Sequence, residues 1–410
     1  MNKKINKNIL LIVSGNFISK MGTSIFYIDL LWWLVKTTGS SRYMGYVMTA
    51  TILPNAIISP LSGVLSDRYN KKNILIIADI ISGIAAIGLG IMTYLNYFNL
   101  GAMVVTTLFL GLSNSIFGPT IRSLIPKLVD SEYILNVNSI FSTCDGITKV
   151  VGPLMGGIML AIPFIGVSGA FIINGLSFFI SAAFELFINY KHIPCISSDS
   201  KSIRNDMRDG FLYIFQNKSL KRLLIAASLA NVFLASFTIL TPLFISKILN
   251  RSVNYYSFTL TMEAIGGIFV GAILLIFKKN NKASLKYMEI YIILLGVVLL
   301  FIPISTIFNP ILLILAFFFG LLSVSFDNTY FTYIQTNTKP ELMGRVFSVI
   351  FSIGNLGLPL SYLFFGILGD YLLASLYIIS GISVVLCAFI IKTDTKSEES
   401  VLGATGIRKG

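Results

Sequence analysis

The sequence predicts an all-α integral membrane protein, with twelve transmembrane helices arranged as two six-helix halves. Three observations predict it. The apolar residues fall in runs long enough to cross a bilayer, few charges interrupt those runs, and the cations gather in alternate loops. Of 410 residues, 55% are hydrophobic and 12% are charged, about half the charged fraction of a soluble protein. A helix needs about 20 apolar residues to cross a hydrocarbon core about 30 Å thick. A β-barrel is excluded, because its strands would be about 10 residues of alternating polarity.

The apolar runs lie near 9–35, 42–65, 73–95, 101–125, 133–161, 167–189, 220–247, 254–277, 286–306, 309–333, 346–368 and 371–391. The first follows a basic stretch. It reads as a membrane helix and not a cleaved leader, because it is too long for a signal core and no small-residue site ends it. With the N-terminus in the cytoplasm, segments on that side hold 24 of the 31 Lys and Arg, and the opposite loops hold 4. This asymmetry predicts that both termini are cytoplasmic. It also accounts for the net charge of +13 without nucleic acid, since the cations form short clusters between helices and no continuous groove with stacking aromatics.

A polar stretch from Lys191 to Arg222 divides six crossings from six. Within it Ile203, Met207, Phe211, Ile214 and Phe215 fall at helical spacing, which predicts an amphipathic helix on the inner surface, packed under the bundle as a linker. The expected organisation is a first half over 1–190, a linker over 191–219, a second half over 220–392 and a polar tail over 393–410. Cys144, Cys195 and Cys387 lack metal or disulfide spacing, and His192 is the only histidine, so no metal site and no cofactor are expected. The halves are weakly repeated: Asn55 to Leu65 resembles Glu263 onward at an offset of 208, and Glu132 and Glu341 precede equivalent runs at an offset of 209.

Gly63-Val-Leu-Ser-Asp67-Arg68-Tyr-Asn70-Lys71-Lys72 stands between the second and third runs. Glycine allows close helix approach, the aspartate suits a helix N-terminus, and the cations can pair with carboxylates elsewhere. This motif resembles the loop signature of the major facilitator superfamily, with Asn70 where that family usually has glycine and Leu275 where a second-half aspartate would stand. The resemblance implies a conformational latch made of Gly63, Asp67, Arg68, Lys71 and Lys72. Gly152-Pro153-Leu-Met-Gly156-Gly157 resembles the core of the antiporter motif of drug exporters, with Thr148 in place of an earlier glycine. Glycine and proline there let a membrane helix bend and pack closely. Thr338 to Ser348 with Leu358-Pro359, Asp209 to Lys218, and Thr38-Gly39-Ser40 are similar to segments of the macrolide-efflux group.

Charges inside membrane helices are costly and usually face a cavity or a partner. The candidates are Lys20, Asp29, Asp79, Asp145, Lys149, Glu185, Glu263 and Asp327. Asp145 and Lys149 are four apart, so they read as an ion pair, either structural or coupling. Asp29, Glu263 and Asp327 have no adjacent cation and are candidates for carrying a proton. Asp79 and Glu185 lie nearer the cytoplasmic ends and read as snorkelling to water or pairing with the Arg68 cluster. Among the aromatics, Phe26, Tyr27, Phe326 and Tyr330 are candidates to line a cavity, and Trp32 and Trp33 read as an interfacial belt.

The resemblance implies a monomeric secondary transporter in the plasma membrane. It would export hydrophobic or amphipathic small molecules of drug or macrolide type, in exchange for protons, by rocking of the two halves. The alternatives are an importer or exporter of one dedicated metabolite, such as a siderophore or a self-made antibiotic, and more remotely a membrane enzyme or receptor. An enzyme lacks support: there is no nucleophile-elbow sequence and no clustered metal ligands. The topology is testable. In a cysteine-free background, a cysteine at Ser40 should react with an impermeant thiol reagent added to intact cells, and one at Asn217 should not. Labelling of Asn217 from outside overturns the orientation.

Overall fold

The structure, a computed structural model, describes residues 3–129, 133–190, 203–276, 284–339 and 342–391, with side chains for all of these outside 3–6, 59–68, 135, 203–207, 272–276 and 348. His192, Cys195, Glu132, Glu341 and the tail over 393–410 lie outside the described residues. Twelve helices follow one another: α1 (Lys3–Thr38), α2 (Ser41–Arg68), α3 (Lys71–Tyr94), α4 (Leu100–Leu128), α5 (Ile134–Ala161), α6 (Gly166–Leu186), α7 (Ile203–Gln216), α8 (Lys218–Leu243), α9 (Val253–Ile276), α10 (Leu285–Phe301), α11 (Pro310–Asn337) and α12 (Met343–Ile391). No strand occurs among the described residues. Among the described residues, nine of the helices, with α12 counted once, are long and apolar enough to cross a membrane.

Local chemistry sets the ends. Asn70, Asn99, Asn217 and Ser284 each accept a hydrogen bond from a first-turn backbone N–H of the helix that follows, the usual use of these residues at an N-cap. Gly39 and Gly166 take positive φ at tight turns, where a side chain would be strained. α12 holds the last two crossings, expected as separate runs, in one helical trace broken at Leu372 (φ −125°, ψ 29°). Before the break its residues climb alongside α8: Asn231 donates to Gly354 O, Ser361 donates to Val232 O, and Gly369 meets Leu240. After the break Gly381 and Val385 meet Leu300 and Gly296 in descending order along α10. The chain therefore turns back at Leu372.

α7 is the short amphipathic helix expected in the linker. Ile214 is buried while Phe211 and Phe215 stack on each other at its exposed face. Asp209 accepts from Arg345 Nη1 at 2.7 Å and Tyr213 donates to Asn337 O at 3.0 Å, tying α7 to α12 and α11.

The same pairing builds both halves. α2 packs on α4, α3 on α6 and α1 on α5; α9 packs on α11, α10 on the second limb of α12 and α8 on its first limb. Glycines make the equivalent contacts. A Cβ on Gly111 would strike Thr51 O, and one on Gly320 would strike Glu263 O. Gly83 faces Gly175 across α3 and α6, as Gly296 faces Gly381 across α10 and α12. In this pairing Thr51 corresponds to Glu263, so the repeat sits one helical turn away from the sequence match of Asn55 to Glu263. The sequence match slipped because one apolar helical turn resembles the next.

Each half has its own core: Phe26, Leu30, Leu34, Met44 and Phe171 in one, and Phe237, Leu240, Phe244, Ile292 and Phe319 in the other. Ile84, Ile91, Leu360 and Phe364 are exposed on the periphery, as a lipid-facing surface requires. Between helices in lipid there is little hydrophobic drive, so close packing through small residues does the joining. Gly320→Ala should therefore force α9 from α11 and cost about 1–3 kcal/mol, the range for overpacking. Gly88 has open space around a Cβ, and Gly88→Ala should leave stability unchanged. Thermal unfolding of both purified variants checks this, and equal midpoints would count against the backbone contact.

Candidate functional site

The two halves meet along α2 with the first limb of α12, and along α5 with α9. One end of the seam is sealed. The carboxylate of Asp370 accepts from Ser41 N at 2.6 Å, from Ser41 Oγ at 3.0 Å and from Ser40 Oγ at 2.5 Å. An acid from one half thus caps the N-terminus of α2 in the other, where it meets unpaired N–H groups and the positive end of the helix dipole. Arg42 Nη2 donates to Tyr371 OH at 3.2 Å beside it. Just beneath, Gly45 lies on Gly366 and Tyr362, and Thr49 Oγ1 donates to Pro359 O at 3.0 Å. Trp32 of α1 stacks on Tyr256 of α9, with ring centroids 5.8 Å apart. Trp32 therefore joins the halves, and the interfacial belt expected of it is not what its 4% exposure describes.

Away from the seal, cavities open into both halves. In the first half a space of about 380 Å³ is lined by Tyr27, Thr51, Asp79, Asn114, Thr148 and Lys149. It shares Asn16, Lys20, Asn114, Phe117 and Asp145 with a space of about 630 Å³ that also reaches Arg122 and Asn138. In the second half a space of about 370 Å³ is lined by Asn231, Phe326, Asp327, Tyr330, Phe331 and Asn355. Phe326 and Tyr330 stack there at 5.6 Å. Phe26, expected to line a cavity, is fully buried against Phe171 in the core of the first half and borders none of these spaces. Adjacent helix positions point about 100° apart, so Tyr27 and Phe26 cannot share a face.

The charged residues are arranged differently from the sequence expectation. Asp145 pairs with Lys20 of α1 at 2.5 Å and not with Lys149 of its own helix. Lys149 is left within electrostatic reach of Glu263 of α9 and Asp327 of α11, in the other half. Asp29 is fully buried beside Gly156, and neither carboxylate oxygen has a hydrogen-bond partner among the described residues. Asp79 and Glu185 do not snorkel: they are 2% and 3% exposed. α3 and α6 hold them close together, with Ser181 facing Asp79. Periodicity alone could have found this, since Ser177, Ser181 and Glu185 form one polar stripe on α6.

The motifs fall at packing positions. Gly152 and Gly156 of α5 lie against Ser24, Ile28 and Asp29 of α1, and Gly157 lies against Ser257 and Asn254 of α9. The glycine-faced helix, with Pro153 inside it, is thus wedged between its own half and the other. Gly63, Asp67 and Arg68 stand at the end of α2, with their side chains outside the described set. Lys72 Nζ donates to the carbonyls of Leu186 and Ile188 at 2.7 and 3.0 Å, at the negative end of α6, and Lys71 is buried. Sequence reading missed Asp370; its signal was an acid in the short turn between the last two apolar runs, a place where a carboxylate is free to reach another helix start.

The arrangement holds the features of a carrier: two pseudo-equivalent halves, a sealed end and polar cavities between apolar helices. The sequence profile of the Major Facilitator Superfamily matches residues 12–362. Macrolide efflux protein A of Streptococcus pyogenes is 25% identical over 394 residues, covering 92% of this chain and 93% of that protein. The staphyloferrin A transporter of Staphylococcus aureus is 25% identical over 398 residues, covering 94% and 97%. In fold, the chain matches a bacterial homologue of the human lysosomal transporter Spinster with a TM-score of 0.74, at 12% identity and 95% coverage of each chain. The profile spans most of the chain and the fold agrees with it, so this multi-pass membrane protein belongs to the major facilitator superfamily of transporters.

Proposed function

We propose that the protein exports amphipathic small molecules across the plasma membrane in exchange for protons, by rocking of its two halves about the central cavity. The observation that carries this reading is the set of charges across the seam: Lys149 on one half within reach of Glu263 and Asp327 on the other. Rocking changes the distance between halves, so it changes how well Lys149 can stabilise an ionised carboxylate. A carboxylate that loses both that cation and water takes up a proton; one that regains them releases it. Asp29, held without a hydrogen-bond partner beside Gly156, is the third candidate for this role. Efflux is supported by the macrolide-efflux relative. The equal identity to a siderophore transporter supports the second reading, one dedicated metabolite.

In this reading both termini are cytoplasmic, the chain acts as a monomer, and the halves are 1–190 and 220–392, joined by 191–219. The Asp370 seal would then face outward, and Gly63, Asp67, Arg68, Lys71 and Lys72 would form the opposing latch at the cytoplasmic end. Gly152, Pro153, Gly156 and Gly157 would be the surface on which α5 slides against α1 and α9.

Two outcomes are expected. In liposomes, at least one of Asp29→Asn, Glu263→Gln and Asp327→Asn should abolish uphill, pH-gradient-driven accumulation while sparing downhill exchange. Full accumulation by all three variants removes buried carboxylates from the coupling. For the seal, Asp370→Asn should weaken the cap on α2 by about 1–2 kcal/mol, roughly a tenfold shift toward opening. A cysteine at Thr49 should then be labelled faster from outside intact cells. An unchanged rate would leave Asp370 no part in closure.

A further inference from the structure

We infer that the transported compound is an amphipathic organic anion, whose carboxylate docks on the cations and amides of the first half while its apolar body lies on the aromatic wall of the second. This rests on the transport reading above. The first-half cavities carry Lys20, Arg122 and Lys149. Lys20 is answered by Asp145 at 2.5 Å. Neither Arg122 nor Lys149 has a carboxylate within 4.0 Å among the described residues. Asp79 also borders this space, but it is 2% exposed and turned toward Ser181 and Glu185. Two further donors on this wall are buried and unpartnered among the described residues: Asn16 Nδ2 and Thr148 Oγ1.

This wall has its own acceptors, among them Asp145 and Asn114, but Arg122 and Lys149 are exposed in these spaces and no carboxylate lies within ion-pair distance of them among the described residues. A cation exposed in a cavity between membrane helices is answered by water or by a partner, and a bound carboxylate can replace that water with opposite charge and acceptor lone pairs. The second-half space is of another kind. Phe326, Tyr330, Phe331, Phe351 and Leu234 line it, with Asp327 as its one charged residue among those described. That acid is already within reach of Lys149. An extended ligand with an anionic head and an apolar or aromatic body matches both walls at once. A cationic head would meet Arg122 and Lys149 on the first-half wall, where Asp145 is engaged by Lys20 and Asp79 is buried.

The test uses purified full-length protein in detergent and three fluorescent probes: dansyl-phenylalanine, its carboxamide, and the amine dansylcadaverine. The carboxylate should bind about tenfold more tightly than the amide, the value of one charge-assisted hydrogen-bonded contact. The amine should bind no better than the amide. Arg122→Gln and Lys149→Gln should each erase most of the preference, and Lys149→Arg should keep it. The inference is overturned by amide or amine binding that equals the carboxylate's, by a preference that survives both Gln substitutions, or by no binding of any probe. A separate measurement, pH-gradient-driven movement of dansyl-phenylalanine in liposomes, isolates the underlying reading. Selective binding without movement sinks transport of this class and leaves the docking site standing.

Discussion

Gly320 pressed onto the carbonyl of Glu263, and its counterpart Gly111 pressed onto that of Thr51, set the distance and register of α9 against α11 and of α2 against α4. In lipid the apolar flank of a helix gains nothing by leaving the hydrocarbon for another apolar flank. Association rests on packing, and two backbones approach closely only where no Cβ intervenes. Because these contacts involve the carbonyls of the residues themselves, they also fix the height of Glu263 opposite Lys149, and of Thr51 on the cavity wall.

Glycine contacts run both within the halves and between them. Inside each half Gly111, Gly320, Gly83 and Gly296 meet backbone or glycine, while Gly22 and Gly152 meet serine side chains. Between halves, Gly157 meets Ser257, Gly45 meets Gly366, and Asp370 caps α2. These contacts are small, and Ile28, Trp32 and Leu160 add apolar packing against the core of the second half. Trp32 on Tyr256 is the largest aromatic contact across this seam.

The charges are costly in this environment, and the structure answers that cost unevenly. Lys20 with Asp145 is a full ion pair. Lys72 is satisfied by the carbonyls that end α6. Asp29 and the Asp79–Glu185 neighbours keep oxygen atoms without partners among the described residues. A buried polar group left that way is costly in lipid, and these residues mark where the tertiary structure departs from a minimum of local cost.

The sequence alone determined the membrane class, the positions of the spans and the division into six and six. Each of these follows from the length and composition of a single segment, and hydrocarbon leaves a crossing segment no option but to satisfy its backbone within a helix. It also identified which residues are chemically out of place, from Lys20 to Asp327. It did not determine their partners. Asp145 chose Lys20 over Lys149 because a neighbouring helix face was closer than the next turn of its own, and Phe26 went to the core because α6 approaches that side of α1. The repeat slipped by a turn for the same reason: apolar turns look alike until a glycine contact fixes them. The seal at Asp370 was decided only by tertiary structure, because it joins residues some 330 positions apart, and hydrogen bonds between distant helices depend on packing geometry that no local pattern records.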